Sequence, residues 1–406
     1  MIGLQEALDF ILSNSPTPEE ETIRLADAAG RILSRPVVAA MHIPPFDRSP
    51  LDGYALRAAD LADVSPARPL SLNIQGVSRP GDSKIEPLQP GHCMRIATGA
   101  PIPPGANAVI PQEKTTAENG RAFFNFSPLP GANVVKAGED ITCGSSVIAA
   151  GTRLEGIHLG ILASLGQCEV PVFKKPRVAV LSTGNELTHP GQGLLPGKIY
   201  DSNTPMLSAL VEQHGGIALP SSMSNGTSQE ALSAELLRTL SKADAAIVTG
   251  GVSVGEEDIV PGAVEQLGAK ILFHRIAVKP GTPMLAALLE NKYLFCLSGN
   301  PAAAYVTFDQ LVRPALLAMS GQQIWERPRV KAILEHDLPE NKGISRFIRA
   351  VCSIQNGVFY VKIAGLERPG VLSSLHEANA FIFRPQGSPG LFAREEILVQ
   401  LCALPK

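Results

Sequence analysis

Ala245-Ala246-Ile247-Val248-Thr249-Gly250-Gly251-Val252-Ser253-Val254-Gly255-Glu256-Glu257-Asp258 is the stretch that decides the fold. It opens as an unbroken apolar run, the pattern of a strand buried on both faces of a parallel sheet. Gly250-Gly251 ends that strand. Two adjacent glycines let the main chain come close to a bound group and turn N–H donors toward it. Ser253 adds a hydroxyl, Gly255 allows another turn, and three carboxylates follow. The glycine donors suit a phosphate or another oxyanion, and the acidic edge suits a cation beside it. The same pattern also serves a plain strand-to-helix turn, so it fixes the architecture before it fixes the chemistry.

Strands and helices alternate around this stretch from 174 to 320. Arg177–Ser182, Ile271–Phe273 and Tyr293–Leu297 read as further strands. One helix is predicted from Thr204-Pro205, with threonine as cap and proline in the first turn, to Gly215-Gly216. Thr227 and Glu230 form a possible capping box for a second, through Leu240. A third runs to Gly268, and Asn300-Pro301 caps a long apolar helix ending near Met319. The alternation predicts a doubly wound parallel sheet, in which ligands bind beyond the carboxyl ends of the strands.

Four loops leave such ends: Thr183-Gly184-Asn185-Glu186, Thr249-Gly250-Gly251-Val252-Ser253, Val278-Lys279-Pro280-Gly281-Thr282-Pro283 and Ser298-Gly299-Asn300-Pro301. Each sets a glycine beside polar donors, and four such loops meeting would grip a phosphate-bearing ligand. Glu186, Asp201 and Asp258 lie on or near them. Carboxylates repel a phosphate unless a cation such as Mg²⁺ stands between, which makes these acids candidate ligands. Asp201 fits a helix cap equally well. Lys279 and Arg275 could supply positive charge to an anion, and Arg275 also fits a surface ion pair.

The flanking segments read differently. Residues 1–34 show apolar spacing for two helices, the first on Leu4, Ala7, Leu8 and Ile11, the second on Leu25, Ala28 and Ile32. His42–Ala55 is proline-broken and extended, with Asp47, Arg48, Ser49 and Asp52 in six positions, more chemistry than a hinge needs. From 54 to about 140, short strands punctuated by Pro-Gly pairs predict a β-rich insertion. Leu154–Leu165 predicts a buried helix ended by Gly166. Ser320–Arg329 reads as a linker. Val330–Leu334, Phe347–Ile354, Val358–Ile363, Ala380–Phe383 and Ile397–Leu401 then make a small barrel or sandwich, with a hairpin turn at Asn356-Gly357. The predicted fold is a multidomain α/β chain. Its parts are an N-terminal helical and linking domain (1–53 with 136–173), a β-rich insertion (54–135), a central doubly wound domain (174–320) and a C-terminal β-barrel (329–406).

Composition bounds the function. The 406 residues are 45% hydrophobic, enough for several cores. Net charge is −3 with no basic tract, which argues against nucleic acid. No apolar run reaches membrane-spanning length, and Met1–Asp9 carries acids rather than a basic leader. The six cysteines form no CxxC and lie at no zinc-finger spacing, which reads as free thiols in the cytoplasm. GxSxG, GxGxxG and Walker A motifs are missing, so hydrolase-triad, dinucleotide and P-loop chemistry lose support.

Taken together, the motifs are specific. Pro44–Ala55, Ala97-Thr98-Gly99-Ala100, Ser182–Leu187, Asp201-Ser202-Asn203, Thr249–Gly255 and Lys279-Pro280-Gly281 resemble, in order and over nearly the whole chain, the molybdopterin molybdenumtransferase (MoeA) family, which is similar to the E domain of gephyrin. The resemblance implies a four-domain subunit working as a homodimer. It implies an enzyme that inserts molybdate-derived molybdenum into adenylylated molybdopterin with Mg²⁺ and releases AMP. By motif position, Gly250, Gly251, Ser253 and the Ser298–Asn300 loop would hold the pterin phosphate, with Thr183, Gly184, Asp201 and Ser202 beside it. Asp258, Glu186 and Asp140 would act at the metal and pyrophosphate, with Glu186 and Asp258 as the metal ligands. Ser49 and Asp52 would complete the site across the dimer interface, and Lys279, Arg275 and Arg346 would bind molybdate or phosphate. Three departures stand out: Arg48-Ser49-Pro50-Leu51-Asp52 for the family's Asn-Ser-Ala-Met-Asp, Thr282 where a lysine is common, and Ser298 for proline. The C-terminal motif Gly343–Arg349 also lacks the family's early arginine unless Arg346 replaces it. They keep open a non-catalytic molybdopterin carrier, and within the enzyme class a tungstate-using paralogue.

Overall fold

A computed structural model describes residues 1–220, 222–224, 228–253, 258–365 and 370–406. The central sheet runs in the order Ile217–Ala218, Arg177–Thr183, Ala245–Thr249, Lys292–Leu297, Leu285–Leu289, Lys270–His274, with Ser222–Ser224 also paired to Arg177–Thr183. The three middle strands are parallel and level at their ends, where Ser182 faces Thr249 and Thr249 faces Leu297. Their apolar runs are continuous because both faces are covered. Val180, Ile247 and Phe295 enter one core, while Leu181, Val248 and Cys296 enter the other.

The sheet is mixed rather than wholly parallel. Leu285–Leu289 runs antiparallel to both neighbours. Only Glu290 and Asn291 separate it from Lys292, and a two-residue turn can join strands only antiparallel. Its Leu-Ala-Ala-Leu-Leu sequence lacks the β-branched residues that mark strands. Two helix starts also differ from expectation. Thr204 lies inside helix Asn203–Gln213, and the capping carboxylate is that of Asp201, which accepts from the N–H groups of Asn203 and Thr204 at 3.1 Å each. Helix Gln229–Leu240 is capped by Ser228, which accepts from Ala231 N–H at 3.2 Å. Thr227 of the expected capping box, and residues 254–257 of the glycine stretch, lie outside the described residues.

The first expected N-terminal helix is present as Leu4–Ser13, and it buries Ala7 and Ile11 in the core of the central sheet. Ile2 N–H donates to Arg275 O at 3.2 Å, and Ala277 N–H donates to Ile2 O at 2.8 Å. The second expected helix does not form. Glu20–Arg24 is a strand paired antiparallel with Glu169–Phe173, and Leu25–Asp27 is one 3-10 turn. Gly30, at φ +76°, interrupts the spacing that linked Leu25 to Ile32, and long-range pairing outweighs weak local helix preference. The helix after Leu154 spans Gly156–Ser164, and Gly166 follows it at φ +75°.

The insertion is a six-stranded sheet in which Gly53–Leu56 pairs with Ala108–Pro111 and His92–Ile96, around Leu56, Leu72, Ile110 and Phe124. At the C-terminus, Ser345–Gln355, Val358–Ile363, Arg329–Leu334, Glu396–Leu401 and Ala380–Arg384 close into a five-stranded barrel, because the last pairs back onto the first. Val278–Lys279 of the central domain joins this barrel beside Ser345-Arg346. A buried ionic node also ties the two together. Asp309, 2% exposed, accepts from Arg327 Nε at 2.9 Å and pairs with Arg313 at 3.3 Å, while Arg327 Nη1 donates to Cys402 O at 3.3 Å.

Candidate functional site

Three of the four glycine loops meet at one end of the central sheet. A methyl group on Gly250, which has φ +95°, would fall within 3.0 Å of the Thr183 carbonyl oxygen and 3.1 Å from Thr183 Oγ1. One on Gly251, at φ +58°, would meet Thr183 Oγ1 at 3.4 Å and Val260 Cγ2 at 3.3 Å. One on Gly299 would stand 3.4 Å from Gly250 Cα. Glycine is required because these backbones touch, and contact of that kind can turn loop N–H groups toward a ligand. Gly250 N–H donates to Leu297 O at 3.1 Å, and Asn300 N–H donates to Ser298 Oγ at 3.3 Å, which braces the third loop.

Polar residues beneath the loops hold them level. Ser182 Oγ donates to Asp201 at 3.1 Å, Thr249 Oγ1 donates to Ser298 O at 3.4 Å, and Asn203 bonds both Thr249 and Gly299. Asp201, 4% exposed, is thus a cap and a strut, facing helix Asn203–Gln213 rather than solvent. Ser202 occupies the N-cap position beside it. Ser253 is exposed at the lip.

The fourth loop comes in from the barrel side. Lys279 to Pro283, with Ser298, Asn300 and Ala303, form one wall of a cavity of about 600 Å³. The other wall is Glu340, Asn341, Lys342, Gly343, Ile344, Arg346, Phe347 and Arg349 of the barrel. Among the described residues its lining sets four cationic side chains against one acid, Glu340, which pairs with Lys342 at 3.6 Å, and it opens on the Ser298–Asn300 loop of the glycine cradle. Thr282 Oγ1 donates back to Val278 O at 2.7 Å. The cationic residues the loop lacks there come from Lys342, Arg346 and Arg349 across the cavity. Arg275 does not line it. Its exposed side chain lies next to the backbone held by Ile2.

The acids divide into two groups. Glu186 folds over the first loop: a Cβ on Gly184 would stand 2.5 Å from Glu186 Oε2. Asp258 immediately precedes Ile259, whose N–H lies beside Gly251, and Val260 N–H donates to Gly251 O at 3.2 Å. Glu186 thus stands against the first loop, and Asp258 begins the segment that packs on the second. Among the described residues no three His, Cys, Asp or Glu side chains gather as a metal cage. Mg²⁺ in general takes one or two protein carboxylates and completes its shell with substrate phosphates and water.

Ser49, Asp52 and Asp140 sit elsewhere. Asp52 accepts from Thr98 N–H at 2.7 Å and Thr98 Oγ1 at 3.1 Å, and those bonds hold its carboxyl below the usual carboxylate range. Ser49, 1% exposed, donates to Leu51 O at 2.6 Å and shapes the proline loop. Asp140 is exposed, its N–H bonded to Ile43 O at 3.0 Å. Asp47 pins the same loop through Lys136 at 2.7 Å, and that contact lowers its own titration point. Among the described residues of one chain, these side chains and backbones bond to one another's loops and not to the glycine tips.

Sequence reasoning missed Asn203, Asn341 and Lys342, and met Arg349 only as the end of the Gly343–Arg349 motif. Asn203 sits in a motif quoted above, but an asparagine at a helix start is ordinary. Asn341 and Lys342 lie outside any motif, and all the barrel residues reach the pocket only because the barrel docks there.

The fold and site together define a class: a multidomain α/β protein with a glycine-walled anion cradle opening on a cationic cleft between two domains. Models of the MoeA N-terminal region (domain I and II), a probable molybdopterin binding domain and the MoeA C-terminal region (domain IV) match residues 2–166, 179–318 and 331–402. The chain is 36% identical over 404 residues to a molybdopterin molybdenumtransferase of Bacillus subtilis, covering 98% of this chain and 94% of that one. It is 35% identical to that of Haemophilus influenzae, covering 98% of each. The crystal structure of a molybdopterin biosynthesis MoeA protein from Pyrococcus horikosii superposes with a TM-score of 0.87 at 30% identity, over 99% of both chains. The chain belongs to the molybdopterin molybdenumtransferase family, is a transferase, and acts in molybdenum cofactor biosynthesis. Among the described residues no helix is long and apolar enough to cross a membrane.

Proposed function

We propose that the chain inserts molybdate-derived molybdenum into adenylylated molybdopterin and releases AMP, working as a homodimer in the cytoplasm. The observation that carries this reading is the junction of two anion sites of different make. The cradle where Thr183, Gly250, Gly251 and Gly299 touch would offer the backbone N–H groups of Gly251 and Gly299, which suit a fixed phosphate. The adjoining cavity offers Lys279, Lys342, Arg346 and Arg349, which suit a mobile oxyanion such as molybdate. Their shared wall, Ser298 and Asn300, would bring the two substrates together and lower the entropy cost of reaction.

Glu186 and Asp258 would hold Mg²⁺, which when bound neutralises the pyrophosphate as its anhydride opens. The remaining work falls to the chain. The loop N–H groups orient the pterin phosphate, and the cationic residues stabilise charge that develops on the departing AMP oxygen. The dithiolene sulfurs belong to the pterin, so no cysteine is needed.

Dimerisation has its own support. Helix Gly156–Ser164 is apolar almost all round, yet Gly156, Ile157, Gly160 and Ala163 are exposed and only Leu162 is buried. An apolar helix on a surface is a candidate interface. A second subunit would also supply Ser49, Asp52 and Asp140 to the partner's cradle. The test is reconstitution with adenylylated molybdopterin, Mg²⁺ and molybdate. The proposal expects AMP and metal-loaded cofactor. Tight pterin binding with no AMP would replace it with the carrier reading.

A further inference from the structure

Asn203 opens helix Asn203–Gln213 and is 7% exposed. Its Nδ2 donates to Thr249 Oγ1 at 2.6 Å and to Gly299 O at 2.8 Å. A carbonyl can only accept, so the Gly299 contact fixes which end of the amide faces the loops. The two acceptors belong to the tips of neighbouring strands, one just before Gly250 and the other on the loop that touches it. The other end of the amide, Oδ1, is sealed from solvent and has no hydrogen-bond partner among the described residues. A buried amide oxygen left unpaired weakens a fold, so this residue is not explained as a stabiliser. The amide also starts from a rigid point, since Asp201 accepts from the N–H of Asn203 at 3.1 Å.

We propose that Asn203 is a positioning residue for the phosphate cradle: its amide nitrogen staples the Thr249–Gly251 tip to the Gly299–Asn300 tip and sets the spacing of the backbone donors. The inference deepens the proposed function and rests on that reading for the identity of the anion. The spacing matters because Gly250 and Gly299 already lie in backbone contact, so the loops can err only by parting.

The test uses the full-length protein and N203A and N203D. Amide hydrogen exchange is read at 249–251 and 298–300 without ligand, and affinity is measured for adenylylated molybdopterin and for inorganic pyrophosphate. In N203A the tip amides exchange faster while 178–181 and 245–248 keep their protection. Affinity for both probes falls about tenfold, the scale of one or two lost hydrogen bonds. In N203D affinity is weak at neutral pH and recovers as the pH falls, because a protonated carboxyl regains one donor for Gly299 O. That recovery decides the matter if N203A does not fold. Wild-type tip exchange in N203A, or an N203D affinity independent of pH, overturns the staple. Failure of the wild type to bind the pterin overturns the proposed function instead, and faster tip exchange in N203A would still support the staple.

Discussion

Gly250→Ala is the sharpest perturbation the cradle offers. The new methyl would fall within 3.0 Å of a carbonyl oxygen, where real Cβ atoms are essentially never found, and at 3.1 Å from Thr183 Oγ1. Backbone cannot swing aside as a side-chain end can, so two strand tips must separate. Alanine would also have to hold φ +95°, a strain of about 1–3 kcal/mol. A shift of about 1 Å in donors that orient a reacting group costs on the order of a hundredfold in rate. Gly268→Ala is the control. It sits at φ +69° with nothing within 4 Å of the added methyl, so it carries backbone strain without the collision. The assay is AMP release from adenylylated molybdopterin with molybdate and Mg²⁺. The expected result is a loss of at least about tenfold for G250A and near-native turnover for G268A. If G250A retained near-native activity while folded, the contact between loops could not be what shapes the site.

Other consequences can be checked alongside. Lys279→Ala should raise the KM for molybdate by roughly tenfold or more, the scale of one charge-assisted hydrogen bond, with a weaker salt dependence read from initial rates. Asp201→Ala removes a helix cap, worth about 1 kcal/mol, and should lower the thermal midpoint, whereas Asp201→Asn keeps most of it. Asp309→Ala strands Arg313 and Arg327 in the interior and should cost about 3–5 kcal/mol in urea unfolding. His214, pushed down to about 4 by burial and then by Arg327, accepts from Arg327 Nη2 at 3.4 Å in its neutral form. Its folded state resists the proton that the unfolded chain takes up near pH 6.5, so stability should fall as pH drops from about 6.5 to 4. Replacing His214 by Gln should remove that part of the acid sensitivity in pH-dependent unfolding.

Much of this architecture was legible in the sequence because one physical pattern dominated each segment. The apolar runs ending in glycine announced the parallel strands, and the Asn356-Gly357 hairpin announced the barrel. Three kinds of feature were not legible. Leu285–Leu289 carries no β-branched residue, so only its two-residue turn into Lys292 reveals an antiparallel strand. Glu20–Arg24 is a strand through pairing with residues nearly 150 positions away, which no local window contains. The far wall of the cavity depends on how the barrel docks, which Val278–Lys279 and the Asp309 node set, so the Gly343–Arg349 motif alone does not reveal what it faces. Asp201 was readable both as ligand and as cap, and its bonds to Ser182, Asn203 and Thr204 make it a cap.

The most direct trial is a crystal structure of the protein with adenylylated molybdopterin bound. The account predicts phosphate oxygens within hydrogen-bond reach of the Gly251 and Gly299 N–H groups, with the dithiolene turned toward Lys279 and Arg346. Phosphates seated on the insertion domain, or anywhere away from the three touching loops, would contradict it.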